Sequence, residues 1–184
     1  MVYISLIALV AGGDLWLKHR IEGQDPESFP SPLTGTKDRI WIYRNHNAGF
    51  PFGLMEKQES LVKTVPLVLT SLLAGGLLAM RGEKGKKARK LGMAMVIGGS
   101  LSNLYDRYVR GYVVDYFSLR FGPLKEVVFN LGDIFILLGA ALQAVCFSLE
   151  GGKRGRDPIA AGTLGVKEKK IKRKVAIDKQ REIL

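Results

Sequence analysis

The chain is poor in the residues on which metal sites and most nucleophilic hydrolases depend. It has one cysteine and two histidines among 184 residues. Cys146 cannot form an internal disulfide and sits in an apolar run, where it reads as a core filler. His19 and His46 form no His-Glu-x-x-His pair, so neither a metal nor any other cofactor is expected. No apolar segment contains a histidine to serve as base for Ser100 or Ser102, and the small residues around those serines already read as packing positions. Acidic residues are also scarce, 17 against 28 Lys and Arg, for a net charge of +11. The basic residues are not interleaved with aromatics along a stripe, so no nucleic-acid partner is expected.

What the chain does have is apolar length. Four segments stand out, Val2 to Leu17, Leu61 to Met80, Leu91 to Val109 and Val127 to Leu149. The second and fourth approach the ~20 residues needed to span a bilayer, and the other two reach it by accepting polar residues near one end. The first lacks a basic leader and runs into Asp14, Trp16 and Lys18 without a small-residue cleavage site, so it is kept as a span. The expected fold is an all-α membrane protein with four transmembrane helices and a small β-rich element on the outer face. Residues 1–150 form the membrane domain, and residues 151–184 form a basic, disordered cytoplasmic tail drawn to anionic membrane lipids.

Charge orients the expected fold. Arg81 to Lys90 holds six Lys or Arg against one Glu, and the tail holds eleven against four acids. Four spans place both blocks on one side, the cytoplasm, together with both termini. The segments 18–60 and 106–126 then lie outside. There, Arg39 to Arg44 and Tyr116 to Phe121 read as short strands, and Gln24 to Gly35 reads as an ordered loop. Ala94, Gly98 and Ser102 share one face of the third segment, and Gly132 and Gly139 recur in the fourth, as close helix packing requires.

The chemistry left to such a chain is carboxylate chemistry. Asp115 and Asp133 flank the start of the last apolar run, where an ionised carboxylate loses solvation that ordinary neighbours cannot restore. Each alone also reads as a helix-start carboxylate stabilised by the helix dipole. Asn103, Asp106 and Arg107 share a helical face, as do Asn130 and Asp133. Two nearby carboxylates that share one proton supply both a base for water and an acid for a leaving amine. Spacing leaves open whether the pair is Asp115 with Asp133 or Asp106 with Asp133, although Asp106 has a ready ion-pair partner in Arg107 or Arg110. Asp14 has one in Lys18, and Asn47 to Gly53 reads as a tight aromatic loop.

Taken together, Asp14 to Lys18, Asn47-x-Gly49-x-x-Phe52, Gly98-Gly99-x-x-x-Asn103-x-x-Asp106-Arg107 with Gly111-x-Val113-x-Asp115, and Phe129-Asn130-x-x-Asp133 are similar to the motifs of the lipoprotein signal peptidases. The resemblance covers residues 1–150. It implies an aspartyl endopeptidase of the bacterial cytoplasmic membrane that cuts prolipoprotein signal peptides before a diacylglyceryl-modified cysteine, near the outer face. Asp115 and Asp133 match its catalytic dyad. Asn47, Gly49, Asn103, Arg107 and Asn130 match positions that shape the site and hold substrate, and Asp14 and Lys18 match a supporting pair. The chain departs from the family's usual residues at Phe50, Pro51, Tyr116 and Gly132. The other class consistent with intramembrane Asp and Asn residues is a proton-coupled carrier or binding protein.

Overall fold

A computed structural model describes the backbone of residues 1–49 and 58–154, and the side chains of those residues up to 150. Contacts divide the chain into two units, Met1–Ala144 and Val145–Leu184, and the architecture that follows is that of the first.

Helix α1, Val2–Glu22, buries one stripe, Val10, Asp14, Lys18 and Ile21, at helical spacing. Its remaining surface exposes Val2, Ile4, Leu9 and Trp16. Asp14 and Lys18 therefore face inward while large apolar side chains face outward, the reverse of a helix on a water-soluble core. Helix α2, Glu59–Ala79, has the same character, with only Val62 and Thr70 buried. Helix α3, Lys87–Val109, is the central element. Its buried face includes Ala94, Gly98, Ser102 and Asp106, so small residues admit α1 and polar ones meet its polar stripe. At Gly98 a Cβ would stand 2.8 Å from the Cβ of Val10. Helix α4, Leu131–Arg154, approaches α3 at Gly99, where a Cβ would collide with the Gly132 carbonyl oxygen.

Three helices, Val2–Glu22, Glu59–Ala79 and Leu131–Glu150, are long and apolar enough to cross a membrane. The expectation of four is met only in part. Helix α3 has the length, about 34 Å at 1.5 Å per residue, but it begins on Lys87, Arg89 and Lys90 and ends on Asp106 and Arg107. Of those groups Lys90, Asp106 and Arg107 are held by protein contacts that hydropathy does not register.

Between the helices lies a three-stranded antiparallel sheet in the order β1-β2-β3, with β1 at Ser31–Pro32, β2 at Ile40–Asn47 and β3 at Val113–Leu119. Both expected strands exist with shifted bounds, and the loop expected from Gln24 to Gly35 contains β1 and a 3-10 turn at Pro26–Ser28. Asp115, just before the stretch read as a strand from Tyr116 to Phe121, lies on β3 itself. The strand begins early because Gly111, at φ +84°, ends α3 in the left-handed conformation and turns the chain at once. Ile42 pairs with Phe117 and Asn45 with Asp115, so that two residues of β2, Tyr43 and Arg44, stand against one of β3, Tyr116. This bulge re-aims β2, so that Asn45 and Asn47, not Arg44 and His46, stand opposite Asp115 and Val113. Ile21, Val114 and Tyr116 form the core between sheet and α1.

The fourth apolar segment becomes helical only at Leu131. Before it, Phe129 bridges Phe117 and holds the chain extended against β3. The expected loop Asn47 to Gly53 is described only through Gly49. Phe50, Pro51, Phe52 and Gly53 lie outside the described residues, as do residues 155–184 of the tail.

Candidate active site

Asn130 joins the two carboxylates singled out by the sequence. Its side-chain oxygen accepts from the Asp133 main-chain N–H at 2.9 Å, while Asp133 Oδ2 accepts from the Asn130 N–H at 3.1 Å. This is a reciprocal cap, which satisfies donors that the first turn of a helix leaves without partners. With its oxygen committed to the cap, the Asn130 amide must point its Nδ2 away, and it donates to Asp115 Oδ1 at 2.7 Å. The helix-start reading of Asp133 and its candidate chemical role thus describe one arrangement.

The other oxygens are held by amides oriented in the same way. Asn47 Oδ1 accepts from the Gly49 N–H at 3.0 Å, so its Nδ2 faces Asp115 Oδ2 at 3.1 Å. Asn103 Oδ1 accepts from Lys18 Nζ at 2.7 Å, which can only donate, so its Nδ2 faces Asp133 Oδ1 at 2.9 Å. Each oxygen keeps a second lone pair for a proton or for substrate. Burial, with the charge of Asp133 adding to it, pushes the Asp115 carboxyl up from 3.8 to about 7, against the opposing hydrogen bonds of Asn47 and Asn130.

Beneath the pair lies a buried charge network. Lys18, Asp14 and Asp106 are each fully enclosed. Lys18 Nζ stands 2.9 Å from Asp14 and 3.0 Å from Asp106. Asp106 also pairs with Arg110 and accepts from the Val114 N–H at 3.1 Å, tying the end of α3 to β3. Two acids are thus matched by two bases, the condition under which buried charge is tolerated. Asp106 belongs to this network. Arg107 donates to the Gly49 carbonyl at 3.0 Å, so one arm of the guanidinium expected to face substrate holds the chain's own loop.

Asp115, Asp133, Asn47, Asn103 and Arg107 open on a cavity of about 750 Å³. Val113, Leu124, Val127 to Phe129, Ile136 and Leu137 give it apolar walls, and Asn45, His46 and Glu126 add polar groups. Asp14 and Lys18 do not line it; Lys18 meets Asn103, and Asp14 meets Lys18. Gly49 and Asn130 do not line it either, and shape it through the loop and the cap. Among the described residues no three His, Cys, Asp or Glu side chains gather as metal donors.

Two residues of the network were not foreseen. Ser102, read as a packing position, donates to Asp14 at 2.6 Å and accepts from Lys18 at 3.2 Å. Its signal was a hydroxyl one turn before Asp106 on a face otherwise made of Ala and Gly. Tyr116 donates to Asp14 Oδ1 at 2.9 Å and accepts from the Leu131 N–H at 2.9 Å. Nothing local marks it.

Apolar helices that turn their polar residues inward, ending at a cavity with two amide-held carboxylates, define a membrane protein built around a carboxylate site. A model of the family described as signal peptidase (SPase) II matches residues 6–149, and the chain belongs to that family. It is 33% identical over 142 residues to the lipoprotein signal peptidase of Mesorhizobium japonicum, covering 76% of this chain and 81% of that one. With the lipoprotein signal peptidase of Moorella thermoacetica it shares 28% over 158 residues, covering 86% of this chain and all of the other. A bacterial membrane enzyme structure solved by the in meso method at 2.3 Å shares the fold, with a TM-score of 0.66 at 18% identity over 85% of this chain and 92% of that one. The carrier reading has no support in these relatives.

Proposed function

We propose that this chain removes signal peptides from prolipoproteins by an aspartyl mechanism in which Asp115 and Asp133 are the catalytic pair. One observation carries the assignment: both carboxylates face one cavity, and both are held by Asn130. Family membership supports the reaction, and the geometry supports the roles.

The chemistry needs one proton on the pair. Asp115, raised to about 7, holds it, and Asp133, with a main-chain and an amide donor on its oxygens, is the base. Water loses a proton to Asp133 as its oxygen attacks the scissile carbonyl carbon. Asp115 gives its proton to the leaving nitrogen as the C–N bond breaks, and the proton on Asp133 returns to the pair. Both oxygens of each aspartate are held in place beforehand, so little reorganisation accompanies the attack.

The apolar cavity wall of Ile136 and Leu137 suits a signal peptide helix, but burial alone cannot select one apolar helix inside hydrocarbon. Selection then falls to the polar end, where Arg107 and the Asn47–Gly49 turn meet the region of the diacylglyceryl-modified cysteine. Orientation follows from charge: α3 is the fourth span, the loop at 80–86 and both termini are cytoplasmic, and the site faces outward in the bacterial cytoplasmic membrane. The basic tail is drawn to anionic lipid headgroups. The test is turnover of matched peptides with and without the diacylglyceryl group. Preference for the lipidated peptide is expected, and equal cleavage of both would refute recognition of the lipid.

A further inference from the structure

Tyr116 is 6% exposed, follows Asp115 directly, and is tied at both ends to the segment that starts α4. Its main-chain N–H donates to the Phe129 carbonyl at 2.9 Å, and its phenol oxygen accepts from the Leu131 N–H at 2.9 Å. Between those two anchors stands Asn130, whose amide holds Asp115 and whose cap holds Asp133. The phenol proton goes to Asp14 Oδ1, while Asp14 Oδ2 meets Lys18 and Ser102. A purely apolar ring would fill the core equally well, so packing leaves the hydroxyl unexplained.

A second observation points to the same place. A Cβ on Gly132 would lie 3.0 Å from each of three oxygens, Asp14 Oδ2, Asn130 Oδ1 and the Gly99 carbonyl. Asp14 is thus pressed close against the bare Cα next to Asp133, and the Tyr116 hydroxyl pins its other oxygen there.

We propose that Tyr116 is a positioning residue, its hydroxyl clamping the start of α4 to Asp14 so that Asp133 is seated against Asp115, in concert with the missing side chain at Gly132. The role rests on the reading of Asp115 and Asp133 as the catalytic pair. Tyr116→Phe keeps the ring and leaves the cavity wall untouched, so binding is preserved while alignment is lost.

The experiment is steady-state cleavage of a lipidated prolipoprotein peptide by full-length protein in detergent, with thermal unfolding followed in parallel. Tyr116→Phe is expected to lower kcat about tenfold, as displaced reacting groups do, with KM held within about twofold because substrate binding is unaffected. Gly132→Ala is expected to cost more in the wild type than in the Tyr116→Phe background, where Asp14 keeps Lys18 and Ser102 but has lost its third anchor and yields more readily to the methyl. Wild-type kcat in Tyr116→Phe, a loss no greater than the fraction of unfolded protein, or equal Gly132→Ala losses in both backgrounds would overturn the proposal. Asp115→Asn and Asp133→Asn run beside these variants. Turnover in either rejects the catalytic pair itself, whereas a silent Tyr116→Phe beside two inactive aspartate variants rejects only the positioning role.

Discussion

Asn130 and Asp133 cap one another at the start of α4, each side chain accepting from the other's main-chain N–H. A motif that ordinarily only starts a helix here also fixes one carboxylate of the proposed catalytic pair. The same asparagine reaches Asp115, so the geometry of the pair is set by a local element of secondary structure rather than by a mobile loop.

Asn130→Asp separates these two duties. The carboxylate still accepts the capping N–H, but it replaces the donor to Asp115 with a third carboxyl group. Turnover is expected to fall by ~100-fold, the scale seen when a preorganised donor is removed, and by more than the unfolded fraction explains, since a carboxyl fully buried at this position also lowers the unfolding temperature. Parallel kinetics and thermal unfolding check this, and near-normal turnover would count against Asn130 as the link.

Asp115→Asn and Asp133→Asn are each expected to abolish cleavage while the protein stays folded in the membrane. Because Asp115 is raised to about 7, wild-type kcat/KM should fall as pH rises through about 7 and the shared proton is lost. Stability follows the same shift. A carboxyl whose folded value lies above its unfolded 3.8 favours the folded state most at low pH, and that contribution is lost as pH climbs from about 4 to about 7. Asp115→Asn removes this loss, so its unfolding temperature should gain on the wild type across that window. A difference independent of pH would contradict the assignment.

Lys18→Met leaves Asp14 and Asp106 enclosed with only Arg110 to compensate. Breaking a buried pair on one side costs ~3–5 kcal/mol, so a large fall in unfolding temperature is expected. Lys18→Met combined with Asp14→Asn should lose less than Lys18→Met alone, since an uncompensated charge goes with its partner. If the double variant is the weaker, the network is not held together by charge matching.

Topology is open to direct measurement. Reporters at residue 84 and at Leu184 are expected to lie in the cytoplasm, and a tag at Pro30 is expected to be reachable from outside. Opposite sidedness for 84 and 30 requires α2 to cross, and the same sidedness for 84 and 184 requires α3 and α4 both to cross or neither to. A tail reporter on the outer side would leave only one of α3 and α4 crossing and sink the four-span arrangement.

The sequence by itself determined the helices and their chemistry. Apolar runs, the i to i+4 relation of Asp14 to Lys18, the shared face of Asn103, Asp106 and Arg107, and the cap spacing of Asn130 to Asp133 are local patterns, so a linear reading finds them. The tertiary structure decided which of these groups meet. Lys18 reaches Asp106 across 88 residues, the bulge in β2 turns Asn47 instead of His46 toward the pair, and Tyr116 finds Asp14 across 102. Strand register and contacts between helices depend on packing summed over the whole fold, and a one-residue shift in β2 reverses which side chains face the site without altering any local preference. Hydropathy in turn understates α3, because it scores each polar residue as though water or lipid were its neighbour, while Ser102, Asn103 and Asp106 are satisfied by one buried lysine.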